Sequence, residues 1–115
     1  MGTTIEDQQL DALFTALSDR TRRDIVARLS TGEATVKELA EPYPMSMQAV
    51  SQHIRVLERS GLISQGRHRQ TRPCRLEPAA LETALSWIEE SRRAWSDRMD
   101  RLETHLARLQ ERGNQ

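Results

Sequence analysis

Three features of the sequence predict a mainly α-helical fold with one small β-hairpin. A short capped segment and a Pro-Tyr-Pro turn lead into residues 44–62, which read as a helix with one apolar and one polar face. An arginine-rich stretch, 67–72, lies between two short extended runs. Residues 78–112 carry apolar side chains at alternating steps of four and three, with no glycine or proline between Pro78 and Gly113. Helix, turn, helix, basic hairpin and a long terminal helix together make a winged helix-turn-helix with a C-terminal dimerisation helix. The expected division is 1–77 for the winged part and 78–112 for the dimerisation helix, within a single structural domain. The helix-turn-helix falls at about 35–60 and the wing at about 62–76.

Leu10, Leu13, Phe14 and Leu17 mark a first amphipathic helix. Asp19 is placed to cap a second, in which Ile25, Val26 and Leu29 face inward, and Gly32 ends the turn that follows. Thr35-Val36-Lys37-Glu38 reads as a capping box opening a short third helix that buries Val36, Leu39 and Ala40. Pro42-Tyr43-Pro44 cannot continue a helix, so the chain turns there. In the helix that follows, Val50, Ile54 and Leu57 form the apolar stripe, Ser46 is the N-cap and Gly61 the stop. Leu62-Ile63-Ser64-Gln65-Gly66 and Pro73-Cys74-Arg75-Leu76 are the arms of the hairpin, with Pro73 expected on an edge strand, where no ladder donor is needed.

The terminal segment places Leu81, Leu85, Ile88, Trp95, Met99, Leu102, Leu106 and Leu109 on one seam, with Arg92 its only polar occupant. A helix over 78–112 is roughly 50 Å long, too long to bury its whole stripe on a body of this size. The seam is therefore expected to pack on a second copy, coiled-coil fashion. Leu10, Leu13, Leu85, Ile88, Trp95, Met99, Leu102 and Leu106 are the expected dimer interface. Composition agrees: aromatic residues make up 3 % and hydrophobic residues 37 %, so a partner chain would help complete the burial.

The formal net charge is zero, yet it is unevenly spread. Residues 44–76 hold six arginines against Glu58 alone, a local net of +5, whereas 1–43 and 77–115 carry −3 and −2. Positive charge is thus concentrated at the two-faced helix and hairpin, as phosphate binding requires. The polar face of that helix offers Gln48, Ser51, Gln52 and Arg55, with no acidic group in its first three turns. Amides, hydroxyls and guanidinium groups read base edges and phosphates in a DNA groove. Gln48 and Gln52, one turn apart, are expected to contact bases, since an amide pairs bidentately with adenine. Ser46 and the first-turn amides are expected to anchor a phosphate. Met47 is placed to touch a thymine methyl, Arg55 a phosphate, and Arg67 and Arg69 at the wing tip a neighbouring minor groove or its phosphates.

Other side chains have plainer readings. Arg22 and Arg23 are expected to form structural salt bridges with Asp19 or Asp24, and His53 to pack at the helix edge and bond locally. Cys74 reads as a small core residue, Trp87 and Trp95 as interface packing. A single cysteine rules out an intrachain disulfide framework and fits a reducing cytoplasm. No basic-then-apolar leader and no membrane-length apolar run is present. Paired carboxylates at workable spacing, a Ser/His/Asp order and a glycine-rich phosphate loop are all missing, so an enzyme is not expected.

Over nearly its full length the chain resembles the ArsR family of bacterial winged-helix repressors. The match is carried by Ala16-Leu17-Ser18-Asp19-Arg20-Thr21-Arg22-Arg23-Asp24-Ile25-Val26, then Val50-Ser51-Gln52-His53-Ile54, Val56-Leu57 and Gly61-Leu62-Ile63. The tail, with Trp87, Trp95, Arg98, Arg101-Leu102-Glu103 and Leu106, resembles a branch often encoded beside START-like ligand-binding proteins. The resemblance implies Ser51 at the DNA, but it does not extend to metal sensing. Where metal sensors of the family carry Cys-x-Cys on the third helix, this chain has Thr35 and Lys37, and on its last helix only His105. No metal or cofactor is therefore expected. The function expected is a homodimeric, sequence-specific regulator of transcription on a pseudo-palindromic operator. It would repress by occluding promoters, its own among them. The competing reading is a winged-helix protein-interaction scaffold that binds no DNA. The sequence names no effector.

Overall fold

The computed structural model describes residues 4–66 and 72–113. The elements run α1 (Ile5–Leu17), α2 (Arg20–Leu29), β1 (Ala34–Thr35), α3 (Val36–Ala40), α4 (Met47–Arg59), β2 (Ile63–Gln65), β3 (Pro73–Leu76) and α5 (Pro78–Gly113). The chain divides into a unit Met1–Ala84 and a unit Leu85–Gln115. The boundary expected at residue 78 thus moves into α5, because Ala80 and Ala84 belong to the core of the first unit.

Local chemistry sets the helix ends. Thr4, Asp19, Thr35 and Ser46 each accept a hydrogen bond from the N–H three residues on, satisfying donors that the first turn leaves unpaired. At α3 the capping box is complete: Thr35 Oγ1 accepts from the Glu38 N–H at 3.2 Å, and Glu38 Oε1 accepts from the Thr35 N–H at 3.1 Å. The end of α4 explains the Gly-Leu pair after it. Gly61 adopts φ +85°, its N–H donates to the Glu58 carbonyl at 3.0 Å, and the Leu62 N–H reaches back to Leu57 at 3.1 Å. This pairing is a Schellman motif; Leu57 and Leu62, which flank it, are both fully buried.

The core of the first unit gathers Leu13 and Ala16 of α1, Ile25, Val26 and Leu29 of α2, Leu39 of α3, and Val50, Ile54 and Leu57 of α4. Leu62, Ile63 and Cys74 close it from the sheet side. Of the three residues expected to be buried in α3 only Leu39 is; Val36 and Ala40 are half-buried against the cluster.

Two expectations are corrected. Leu13 retains no exposed surface and Leu10 only 8 %. Both bury themselves within one chain, so Leu13 has no area left to give a second subunit. The hairpin, moreover, is part of a three-stranded antiparallel sheet ordered β1-β3-β2. The strand holding Pro73 is therefore central, with Thr35 opposite Pro73 on one side and Gln65 opposite Cys74 on the other. Proline is tolerated because it is the first residue of β3, and its carbonyl still accepts the Gly66 N–H at 2.8 Å.

The second unit is helical throughout its described residues, and none of residues 85–113 is buried. Exposed on it are Leu85 (56 %), Ile88 (46 %), Trp95 (61 %), Leu102 (47 %) and Leu106 (50 %), with Met99 half-buried. Among the described residues no helix is long and apolar enough to cross a membrane.

Candidate nucleic-acid interface

Helix α4 is held by its apolar stripe: Val50, Ile54 and Leu57 are buried, which turns Gln48, Gln52 and Arg55 outward, all three exposed, and leaves Ser51 half-buried. Positions 48, 51, 52 and 55 follow the three-and-four spacing of one helix face. Arg55 Nη1 makes a long hydrogen bond, 3.5 Å, to Gln52 Oε1, so the two polar ends share one patch. Met47 is half exposed at the leading edge. Glu58, the only carboxylate on the helix, is turned to the sheet, where it accepts from Gln65 Nε2 at 2.5 Å. The outward face is left with amide, hydroxyl and guanidinium groups.

Ser46 is committed as a cap, its Oγ accepting the Ala49 N–H at 3.1 Å. A hydroxyl that accepts still has its own proton to donate, and no acidic side chain occupies the first turn. Both properties suit an anion at this end. Arg67 and Arg69 lie outside the described residues. Arg75 is exposed on β3 and pairs with Glu77 at 3.5 Å.

Two supports of this face have no local signature in the sequence. Arg28 donates from Nη1 to the Leu39 carbonyl at 2.9 Å and from Nη2 to that of Glu38 at 3.1 Å. It also lies 5.5 Å from the centroid of the Tyr43 ring, whose hydroxyl donates to the Asp24 carboxylate. Together they tie α2 to α3 and to the turn between α3 and α4.

The motif arginines behave structurally, as expected, but with different partners. Arg22 donates from Nε to Ala16 O at 2.8 Å and from Nη2 to Thr15 O at 3.1 Å, and Arg23 Nη1 to Leu17 O at 2.8 Å. The last turn of α1 has no basic residue of its own, so these guanidinium groups answer its unpaired carbonyls. The remaining contact of the Arg22 guanidinium is to Nδ1 of His53, 3.1 Å from Nη1. The same ring nitrogen lies 3.8 Å from Asp19 Oδ2.

Comparison with known proteins places this geometry. Residues 17–65 match the model of a family described as a helix-turn-helix domain. The HTH-type transcriptional regulator Rv2034 of Mycobacterium tuberculosis is 44 % identical over 78 residues, covering 65 % of this chain and 73 % of that protein. The transcriptional repressor SdpR of Bacillus subtilis is 30 % identical over 79 residues, covering 69 % and 88 %. Among solved structures, the ArsR family transcriptional regulator RHA00566 superposes with a TM-score of 0.75 at 36 % identity, covering 84 % of this chain and 97 % of that one.

Proposed function

Since the chain belongs to the ArsR family of winged helix-turn-helix transcriptional regulators and is a DNA-binding regulator, we propose that it is a homodimeric repressor reading a pseudo-palindromic operator. The observation that carries the reading is the outward face of α4, where Gln48, Ser51, Gln52 and Arg55 lie together while Glu58 is turned away. Gln48 and Gln52 pair with base edges in the major groove, Ser51 lies between them, and Met47 meets a thymine methyl. Ser46 with the first-turn amides, Arg55, and the wing arginines Arg67 and Arg69 take phosphates or the adjoining minor groove.

Leu85, Ile88, Trp95, Met99, Leu102 and Leu106 form the dimer seam, since α5 leaves the larger of them exposed in a single chain. Two reading helices then enter successive major grooves about 34–36 Å apart. A dimer seated on a promoter excludes polymerase. The relative named as a repressor supports that direction of control. The regulator's own promoter is among the sites proposed.

The test selects bound fragments from the host's genomic DNA with purified protein, followed by gel shifts on the recovered site. Wild-type binding should weaken steeply as salt rises. Gln52→Ala should flatten discrimination at one base pair of each half-site, losing about 1–3 kcal/mol there, with little change in salt dependence. Undiminished operator preference in Gln52→Ala would remove the base-reading role. Binding that ignores salt and sequence would remove the operator reading altogether.

A further inference from the structure

The apolar stripe of α4 holds the helix against the core, but apolar packing is non-directional. It sets which face of α4 points outward, but it opposes small rotations about the helix axis only weakly. Bidentate recognition is lost when a side chain departs by about 10–20° from its productive geometry, so a reading helix needs a directional contact as well. The polar tie from α4 to the start of α2 and the end of α1 supplies one, through His53, which directly follows Gln52.

We propose that Arg22 and His53 are positioning residues of the DNA-reading face, orienting α4 so that Gln48, Ser51 and Gln52 meet base edges together. The proposal rests on the DNA-reading role given to that face above. The Arg22 guanidinium bridges α1 and α4: its Nε and Nη2 hold the Ala16 and Thr15 carbonyls of α1, and its Nη1 contacts His53 Nδ1 at 3.1 Å. The residue's main-chain N–H is held separately, donating to Asp19 Oδ2 at 3.0 Å. A guanidinium can only donate. Nδ1 of His53 is therefore the acceptor and the ring proton resides on Nε2, a tautomer assigned by the partner. With both other edges of the guanidinium engaged, its position is over-determined, and the remaining N–H fixes the imidazole. This connects the two halves of the sequence pattern, Asp-x-Thr-Arg and Ser-Gln-His, through one contact between residues 31 positions apart.

The bond needs an unprotonated Nδ1. The charged groups facing that nitrogen are Asp19 and Arg22, both at the start of α2, while the end of α1 presents main-chain carbonyls.

The experiment compares wild type, His53→Phe and His53→Asn on the selected operator and on a variant altered at one contacted base pair. Phenylalanine keeps the ring volume without the acceptor; asparagine places an amide oxygen near where Nδ1 lies. His53→Phe should lose discrimination by about tenfold at an unchanged salt slope, and His53→Asn should restore it to within about twofold of wild type. Thermal melts establish that each variant is folded. Should His53→Phe not fold, Arg22→Lys takes its place, since one ammonium cannot hold all three partners, and the same loss is expected. Full discrimination in a folded His53→Phe or Arg22→Lys variant overturns the proposal. Absence of any sequence preference in wild type overturns the parent reading, and this one with it.

Discussion

Cys74 occupies the middle of the central strand with Ala34 on one flank and Gln65 on the other, and it has no exposed surface. Burial pushes its thiol up to about 11, and the negative charge of Glu58 adds to the effect. The thiolate is the reactive form, so this side chain is chemically quiet in the folded protein. Iodoacetamide at about pH 8 should leave Cys74 unlabelled over hours in the native state and label it within minutes in denaturant, as mass spectrometry would read. Rapid native labelling would contradict its burial. At this scale the sequence was informative where an answer depends on periodicity alone. The outward set Gln48, Gln52 and Arg55 follows from the positions of Val50, Ile54 and Leu57, themselves spaced four and three residues apart. It was uninformative where the partner is remote: a run of arginines says that positive charge is present, not that Arg22 and Arg23 will spend it on main-chain carbonyls.

Elements begin and end where short-range hydrogen bonds permit. Asp19 Oδ2 accepts the Arg22 N–H, and this bond is the main cause holding the carboxyl below its ordinary value of 3.8; the nearby His53 and Arg22 side chains contribute less. A group whose folded value is depressed stabilises the fold above its unfolded value and loses that contribution as pH falls through the folded one. Asp19→Ala should therefore cost about 1 kcal/mol in urea denaturation near neutral pH. The gap between the variant and wild type should narrow below about pH 4 as the wild-type carboxylate is protonated. A gap that held constant into acid would mean that the charge contributes nothing to the cap. The caps Asp19, Thr35 and Ser46 were all legible because capping involves residues only three positions apart. The strand Ala34–Thr35 was not, because two residues carry no period and the pairing is with Pro73 and Cys74, far along the chain.

At the scale of the whole molecule, α5 spans 36 residues, about 54 Å at the usual rise, yet its buried residues are only Ala80 and Ala84. Leu81 packs against the core of the first unit, but from Leu85 on the apolar seam is matched by nothing in its own unit, whose described residues form a single helix. Under the proposed dimer, Leu102→Glu together with Leu106→Glu should convert the protein to a monomer by sedimentation equilibrium. The melting of the winged-helix part should be little changed, because neither residue belongs to its core. Operator affinity should fall by on the order of 10²–10³, since each half-site would then be bound without the avidity of the other. An unchanged mass for this double variant would exclude the seam as the dimer contact.

What the sequence determined unaided were features set within about one helical turn: the helices, their caps, the polar face of α4 and the apolar periodicity of α5. Tertiary structure alone decided which buried face meets which. It gave Leu13 to the core of one chain, made the Pro73 strand central, and joined Arg22 to His53. The physical reason is the range of the interactions. A cap or an amphipathic stripe satisfies itself among neighbours along the chain, whereas a buried leucine, a strand edge or a guanidinium fork is satisfied only by groups that folding brings from elsewhere.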